Sequence, residues 1–232
     1  MARRPLMSLF VRWHIWLGWL VGVPMVLWTV SGFVMALKPI EEVRGDALRH
    51  HAPLLREQGT ALSLPRVAAH DVISGMQLVA QADGPVWIVE TEAGGRYRYA
   101  ARSGDLIPPV IRDEALAIAA ATLHHPAGQP RLTFYDAGAA PGDFRGGGPA
   151  WQVEYADGTR LYIDNATGEV RAVRTGWWRF YDFMWGLHIM DLQTREDSSH
   201  PVLIGFAGLA ALGSLLGCAL LFRRRKARVK AA

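Results

Sequence analysis

The chain opens and closes on charge-free apolar runs, and a different pattern lies between them. Residues 13–37, WHIWLGWLVGVPMVLWTVSGFVMAL, and residues 201–222, PVLIGFAGLAALGSLLGCALLF, contain no Asp, Glu, Lys or Arg. At about 1.5 Å per residue, about 20 helical residues cross a bilayer core, so both runs are long enough. The pattern predicts two transmembrane helices, 13–37 and 201–222. A third apolar stretch, WWRFYDFMWGLHIMDL (177–192), is aromatic and broken by charge. It predicts a helix lying along or dipping into the outer membrane interface. The polar QTREDSS (193–199) then leads to His200 and the second span.

Between the spans, strand alternation and Gly turns take over, and they repeat. PVWIVETEAGGRYRYAARSGDL (85–106) aligns without a gap on PAWQVEYADGTRLYIDNATGEV (149–170), at an offset of 64. Pro85 matches Pro149, Trp87 matches Trp151, Gly94 matches Gly158, Arg96 matches Arg160 and Gly104 matches Gly168. Each copy reads as strand, Gly turn, strand, second turn, strand. Helical patterns precede them at 63–76 and 112–125, with Ser63 and Asp113 where N-caps would stand. The expected architecture is a two-span α-helical membrane protein. It carries an extracytoplasmic α+β domain (38–176) of two helix-plus-antiparallel-meander repeats, about 62–107 and 112–174. The stretch DAGAAPGDFRGGGP (136–149) reads as a flexible connection.

Charge sets the orientation. Arg3, Arg4 and Arg12 precede the first span, and RRRKARVK (223–230) follows the second. By the positive-inside rule both tails, 1–12 and 223–232, are cytoplasmic and residues 38–200 lie outside, in a bacterium in the periplasm. The pI near 9.5 comes largely from these tails, so it reports topology and calls for no nucleic-acid partner. A cleaved signal peptide is the alternative for the first run, but an h-region is shorter and lacks three Trp and a His near its start. The single cysteine, Cys218, excludes an intramolecular disulfide, a cysteine-held iron–sulfur cluster and a C-x-x-C-H haem attachment. The tails are too short to form a nicotinamide or flavin domain.

Candidate chemistry rests on histidines. His14, at the cytoplasmic start of the first span, shares a helical face with Gly18, Val21, Met25 and Gly32. His188 shares one with Trp177, Tyr181, Met184, Trp185 and Leu192. Three readings stay open for each: an axial haem ligand, a packing or interfacial residue, or a proton relay. Arg12 and Arg179 could neutralise haem propionates, with membrane anchoring the other role for Arg12. The pairs His50–His51 and His124–His125, with His70, match no zinc or iron spacing and read as exposed. Asp191 reads as a helix-ending residue or a proton group.

The second repeat ends in W-x-V-E-Y…G-x-x-x-Y-I-D-x-x-T-G-E-V, and here the chain resembles the PepSY domain, a small periplasmic α+β module. With H-x-W-x-G (His14, Trp16, Gly18), Ser31–Gly32, Trp178, Tyr181 and Leu187–His188, nearly the whole chain resembles the PepSY-associated transmembrane family. Some members are inner-membrane ferric-siderophore reductases whose b-type haem is held by membrane histidines, usually in four spans; this chain has two. The resemblance implies haem b on His14 and His188, with His200 a further candidate for the outer position. His14 and His188 lie at opposite faces, about 30 Å apart, so they cannot share one iron. A twofold homodimer would pair each with its own copy, and the G-x-x-x-G of GSLLG (213–217) is a candidate packing face.

The expected function is electron transfer across the inner membrane, serving iron uptake or another process. Quinol or a separate dehydrogenase would be the donor, and a ferric chelate, flavin or periplasmic redox protein the acceptor. As an enzyme it would be a ferric-chelate reductase or a subunit of one. The rival expectation is a non-enzymatic, membrane-anchored module that binds or regulates a periplasmic partner.

Overall fold

The computed structural model describes residues 6–50 and 61–230. They fall into two compact units, one running to Pro39 and resuming at Phe180, the other Ile40–Arg179.

The first unit is helical. Helix α1 (Leu6–Ala36) runs unbroken through Pro24, and α5 (Pro201–Lys230) packs against it. Along α1 the better-covered positions include His14, Leu17, Val21, Pro24, Trp28 and Ser31; along α5 they include Leu203, Phe206, Ala210, Gly213, Gly217 and Leu220. Alternating steps of three and four are the seam of two helices packed at a shallow angle. Most positions off the seam are apolar and exposed, Trp19 to 80%. Only 11% of the most apolar window of each helix is buried, whereas a core helix of a soluble protein would be mostly covered. The outward faces therefore suit lipid, and Ser8–Ala36 and Pro201–Phe222 read as membrane spans.

Helix α4 (Gly176–His188) stops earlier than the pattern over 177–192 suggests. The Asp191 amide donates to Gly186 O at 2.9 Å and the Met190 amide to Leu187 O at 3.3 Å, with Met190 at φ 58°. That pair of bonds is a Schellman ending, in which a left-handed residue turns the chain away. Leu192 thus leaves the His188 face. Asp191 then accepts from the hydroxyl and amide of Thr194 and from the amides of Gln193 and Glu196. The Thr194 hydroxyl first, with these amides, holds its carboxyl well below the usual carboxylate range. Its role is to fold the α4–α5 link.

The second unit opens on a short helix, α2 (Ile40–Arg44), and holds two four-stranded antiparallel sheets. One is β1 (Ile73–Gln81), β2 (Gly84–Thr91), β3 (Arg96–Ala100) and β4 (Leu106–Ile107); the other is β5 (Arg131–Tyr135), β6 (Ala150–Glu154), β7 (Arg160–Asp164) and β8 (Val170–Arg174). From β2 onward their turn bonds coincide at the offset of 64. Gly94 N donates to Thr91 O as Gly158 N does to Tyr155 O, and Gly104 N to Ala100 O as Gly168 N does to Asp164 O, all between 2.7 and 2.9 Å. Arg96 reaches Glu90 at 3.0 Å as Arg160 reaches Glu154 at 2.8 Å. Arg96 also binds Asp164 and Glu169, at 2.9 and 2.6 Å, so it ties the first sheet to the β7–β8 turn of the second.

Three expectations are corrected. The helix expected over 63–76 is absent: Pro65 drives Leu64 toward extended backbone, and the segment is strapped to the sheet. Ser63 N donates to Ala101 O at 2.8 Å, Arg66 N to Gly104 O at 2.9 Å, and Trp87 Nε1 to Ser63 O at 2.9 Å. In the second sheet Val110 takes the same place, donating to Asn165 O and accepting from Trp151 Nε1. The second helix, α3 (Arg112–Thr122), is present, but Ile111 is its N-cap and Asp113 lies in its first turn. Its small Ala115 and Ala119 let it lie close on Val153, Leu161 and Ile163, the main core.

The third correction concerns 136–149, which is pinned. Asp143 accepts from the Tyr162 hydroxyl at 2.5 Å and from Arg160 at 3.2 Å, while its carbonyl accepts from Arg174 at 2.6 Å. Phe144 stacks on Tyr162 at 4.8 Å and closes a second small core with Ala150 and Ala172. Alternation along β7 thus sends Leu161 and Ile163 to the helix side and Tyr162 to the loop side.

Candidate functional site: the membrane histidines

His188 is the last residue of α4, and its ring is seated on α1. Its Nδ1 lies 3.2 Å from Trp28 O and 3.2 Å from Ser31 Oγ. A carbonyl only accepts, so the contact to Trp28 calls for the tautomer with the proton on Nδ1. Nε2 then keeps its lone pair. Gly32 makes the seat possible, because a Cβ there would stand 3.2 Å from His188 Cε1. The Trp28 ring completes one wall at 5.8 Å. A ring held through Nδ1–H to a backbone carbonyl is how proteins orient an imidazole for ligation through Nε2.

His14 lies in the α1–α5 seam. A Cβ on Gly217 would stand 3.0 Å from His14 Cε1, and Gly213 faces Leu17. The GSLLG stretch expected to pack a second copy is therefore engaged within the chain, where two glycines let α1 approach α5. His14 Nδ1 is buried and has no hydrogen-bond partner among the described residues. A polar nitrogen left bare in an apolar seam is costly unless a ligand or proton exchange uses the ring. From His14 to Ser31 is 17 residues, about 25 Å along a helix, so the two histidines form separate sites.

The remaining candidates lie elsewhere. His200 Nε2 lies 2.9 Å from Ile189 O and fastens the α4–α5 link, while His188 is bound to α1. Arg179 donates through Nη2 to Gly158 O at 3.0 Å and through Nη1 toward Arg174 O at 3.4 Å. These bonds tie the start of α4 to the β6–β7 turn. Arg12 is exposed and lines an open hollow of about 380 Å³ on α1 with Leu9, Trp13 and Trp16. Among the described residues no group of three or more His, Cys, Asp or Glu could hold a metal ion.

Two groups were not foreseen. Trp28 supplies the carbonyl that fixes His188, and in an all-apolar span no sequence signal sets it apart. Asp182, only 8% exposed, binds Arg195 at 2.6 Å, and Trp185 Nε1 donates to Arg195 O at 3.0 Å. This pair braces α4 below His188; nothing in the spacing of a loop arginine announces it.

A membrane protein with two packed spans and an α+β unit between them in sequence is the class these features define. The family described as the PepSY-associated TM region matches residues 11–232, and the chain belongs to it. Comparison with curated proteins finds no match, and neither does comparison with solved structures.

Proposed function

We propose that the chain is a b-haem electron-transfer protein of a bacterial inner membrane, with the unit Ile40–Arg179 on the periplasmic side. The observation that supports it most is the His188 seat: Nδ1 committed to Trp28 O and Ser31 Oγ, Nε2 unclaimed among the described residues. The bare Nδ1 of His14 supports a second site near the cytoplasmic end. The residues present fit the group: His188 and His14 would each hold one haem iron, which on binding supplies reversible one-electron transfer. Ser31 and Trp28 O keep the His188 ring turned and its Nδ1 protonated. Gly32 and Gly217 keep backbone close to each ring, and the apolar seam excludes water.

Each iron would need a second ligand, and a homodimer pairing each histidine with its own copy would supply it. Gly18 and Gly22, which meet nothing within 4 Å, leave room for a close neighbour on α1. Electrons would come from quinol or a separate dehydrogenase and pass to a ferric chelate, flavin or redox protein docked on the outer unit.

The test is a reduced-minus-oxidised visible spectrum of protein purified from haem-replete cells. A b-type band that His188→Ala and His14→Ala each diminish is expected. A band of full size in both variants overturns the assignment. A colourless parent protein would favour a membrane-anchored docking module instead.

A further inference from the structure

The outer unit carries a second histidine arrangement that the membrane sites do not use. Arg49 and Leu123 form an antiparallel bridge, flanked by hydrogen bonds from His50 N to Thr122 O at 2.8 Å and from His124 N to Leu48 O at 3.0 Å. Side chains alternate along such a pair, so His50 and His124 share one face and Leu123 takes the other. Leu123 is 6% exposed and belongs to the main core, which anchors the bridge. Both histidines stand in solvent. They are diagonal neighbours, within reach of one another for long side chains, and their ring centroids are 4.0 Å apart at 58°. The His125 ring follows at 6.4 Å from that of His124. His51 lies outside the described residues.

We propose that His50 and His124 are a two-imidazole site for a divalent transition-metal ion, Cu²⁺ in preference to Zn²⁺. Two imidazoles on one ion place each nitrogen at about 2.0–2.1 Å from it, which puts the ring centroids about 4.5–5 Å apart. The rings are already within an ångström of that spacing. Closing the clamp needs side-chain rotation alone, because the backbone is fixed by the bridge and by buried Leu123. Among the described residues no carboxylate or carbonyl holds either ring, so neither gives up such a bond to ligate. Two neutral imidazoles and water are a nitrogen–oxygen donor set, for which Cu²⁺ leads the divalent series. The bound ion would clamp the segment 46–50 to the end of α3 and stabilise that junction by linkage. The site is independent of the haem reading.

The experiment titrates CuSO₄ into the full chain in lipid nanodiscs, read by calorimetry and by the Cu²⁺ paramagnetic resonance spectrum. The expected results are one site with two equatorial imidazole nitrogens and affinity at least tenfold weaker in His50→Ala and in His124→Ala. The double variant should bind no more than about twofold more weakly than either single one, since each ring chelates only with the other. His70→Ala, at a ring whose nearest ion partner is Asp71, should match the parent. Affinity within twofold of the parent in either single variant overturns the proposal. So does a double variant in which the two losses multiply. Circular dichroism that matches the parent confirms that each variant is folded before its affinity is read.

Discussion

Replacing Gly32 by Ala tests the His188 seat without touching a histidine. The new Cβ would stand 3.2 Å from His188 Cε1 and 3.5 Å from Nδ1. Carbon atoms rest at about 3.5–4.0 Å, so the ring must retreat by about 0.3–0.5 Å. Both bonds to Nδ1 are already 3.2 Å long, at the outer edge of hydrogen-bond geometry. Such a retreat lengthens them past the point where they hold the ring. A hydrogen bond contributes about 0.5–1.5 kcal/mol net, so the preference for the proton on Nδ1 should fall about two- to tenfold. The assay is ¹⁵N-histidine NMR of the full chain in nanodiscs prepared without haem. The His188 resonances should move from the Nδ1–H pattern toward a mixture of tautomers. Gly22→Ala, where a Cβ meets nothing within 4 Å, is the control and should leave them in place. Unchanged His188 resonances in Gly32→Ala would refute the seat.

Other positions carry predictions of the same kind. Gly104→Ala forces a side chain onto a residue at φ 78° and directly against the Leu64 carbonyl oxygen. It should cost about 2 kcal/mol or more and deprotect the Ser63 and Arg66 amides in hydrogen exchange. Arg98, 3% exposed, is held by Glu114 at 2.5 and 2.9 Å and by Pro108 O at 3.0 Å. Glu114→Ala strands that guanidinium and should lower stability by about 3 kcal/mol, the low end for a broken buried pair because Glu114 is partly exposed; thermal melts of the full chain check it. The Tyr162 hydroxyl is pushed well above the usual phenol range, by burial first and then by Asp143. Its folded value is raised, so its contribution is complete below about pH 10, the ordinary tyrosine value, and is lost as pH rises through the folded one. Hydrogen exchange of β5–β8 should lose protection above about pH 10, and Tyr162→Phe should shrink that loss.

What could be read from the chain depended on which contacts have a local signature. The repeat is legible because its copies share turn glycines and a tryptophan at a fixed offset, and those residues form the same hydrogen bonds. The strap at 61–66 is not, since its apolar spacing suits a helix and only Pro65 and the distant sheet decide otherwise. The end of α4 is hidden because Met190, not a glycine, takes the left-handed turn. In the spans, apolar residues face both lipid and partner helix, so hydropathy carries no trace of the 3.5-residue seam. For that reason His14 and His188 stand out as candidates, while Gly217, Trp28 and Ser31 gain their meaning only from the packing. The G-x-x-x-G of 213–217 shows the same gap: the motif announces close approach but does not say to which helix.

The central claim is that the two membrane histidines hold haem. Haem content measured together with the mass of the purified protein in detergent tests it most directly. The account predicts a b-type reduced-minus-oxidised band, two haems per dimer, and loss of about half the haem when His188 or His14 is replaced by Ala. Protein from haem-replete cells with no such band, or with haem indifferent to both replacements, would contradict it.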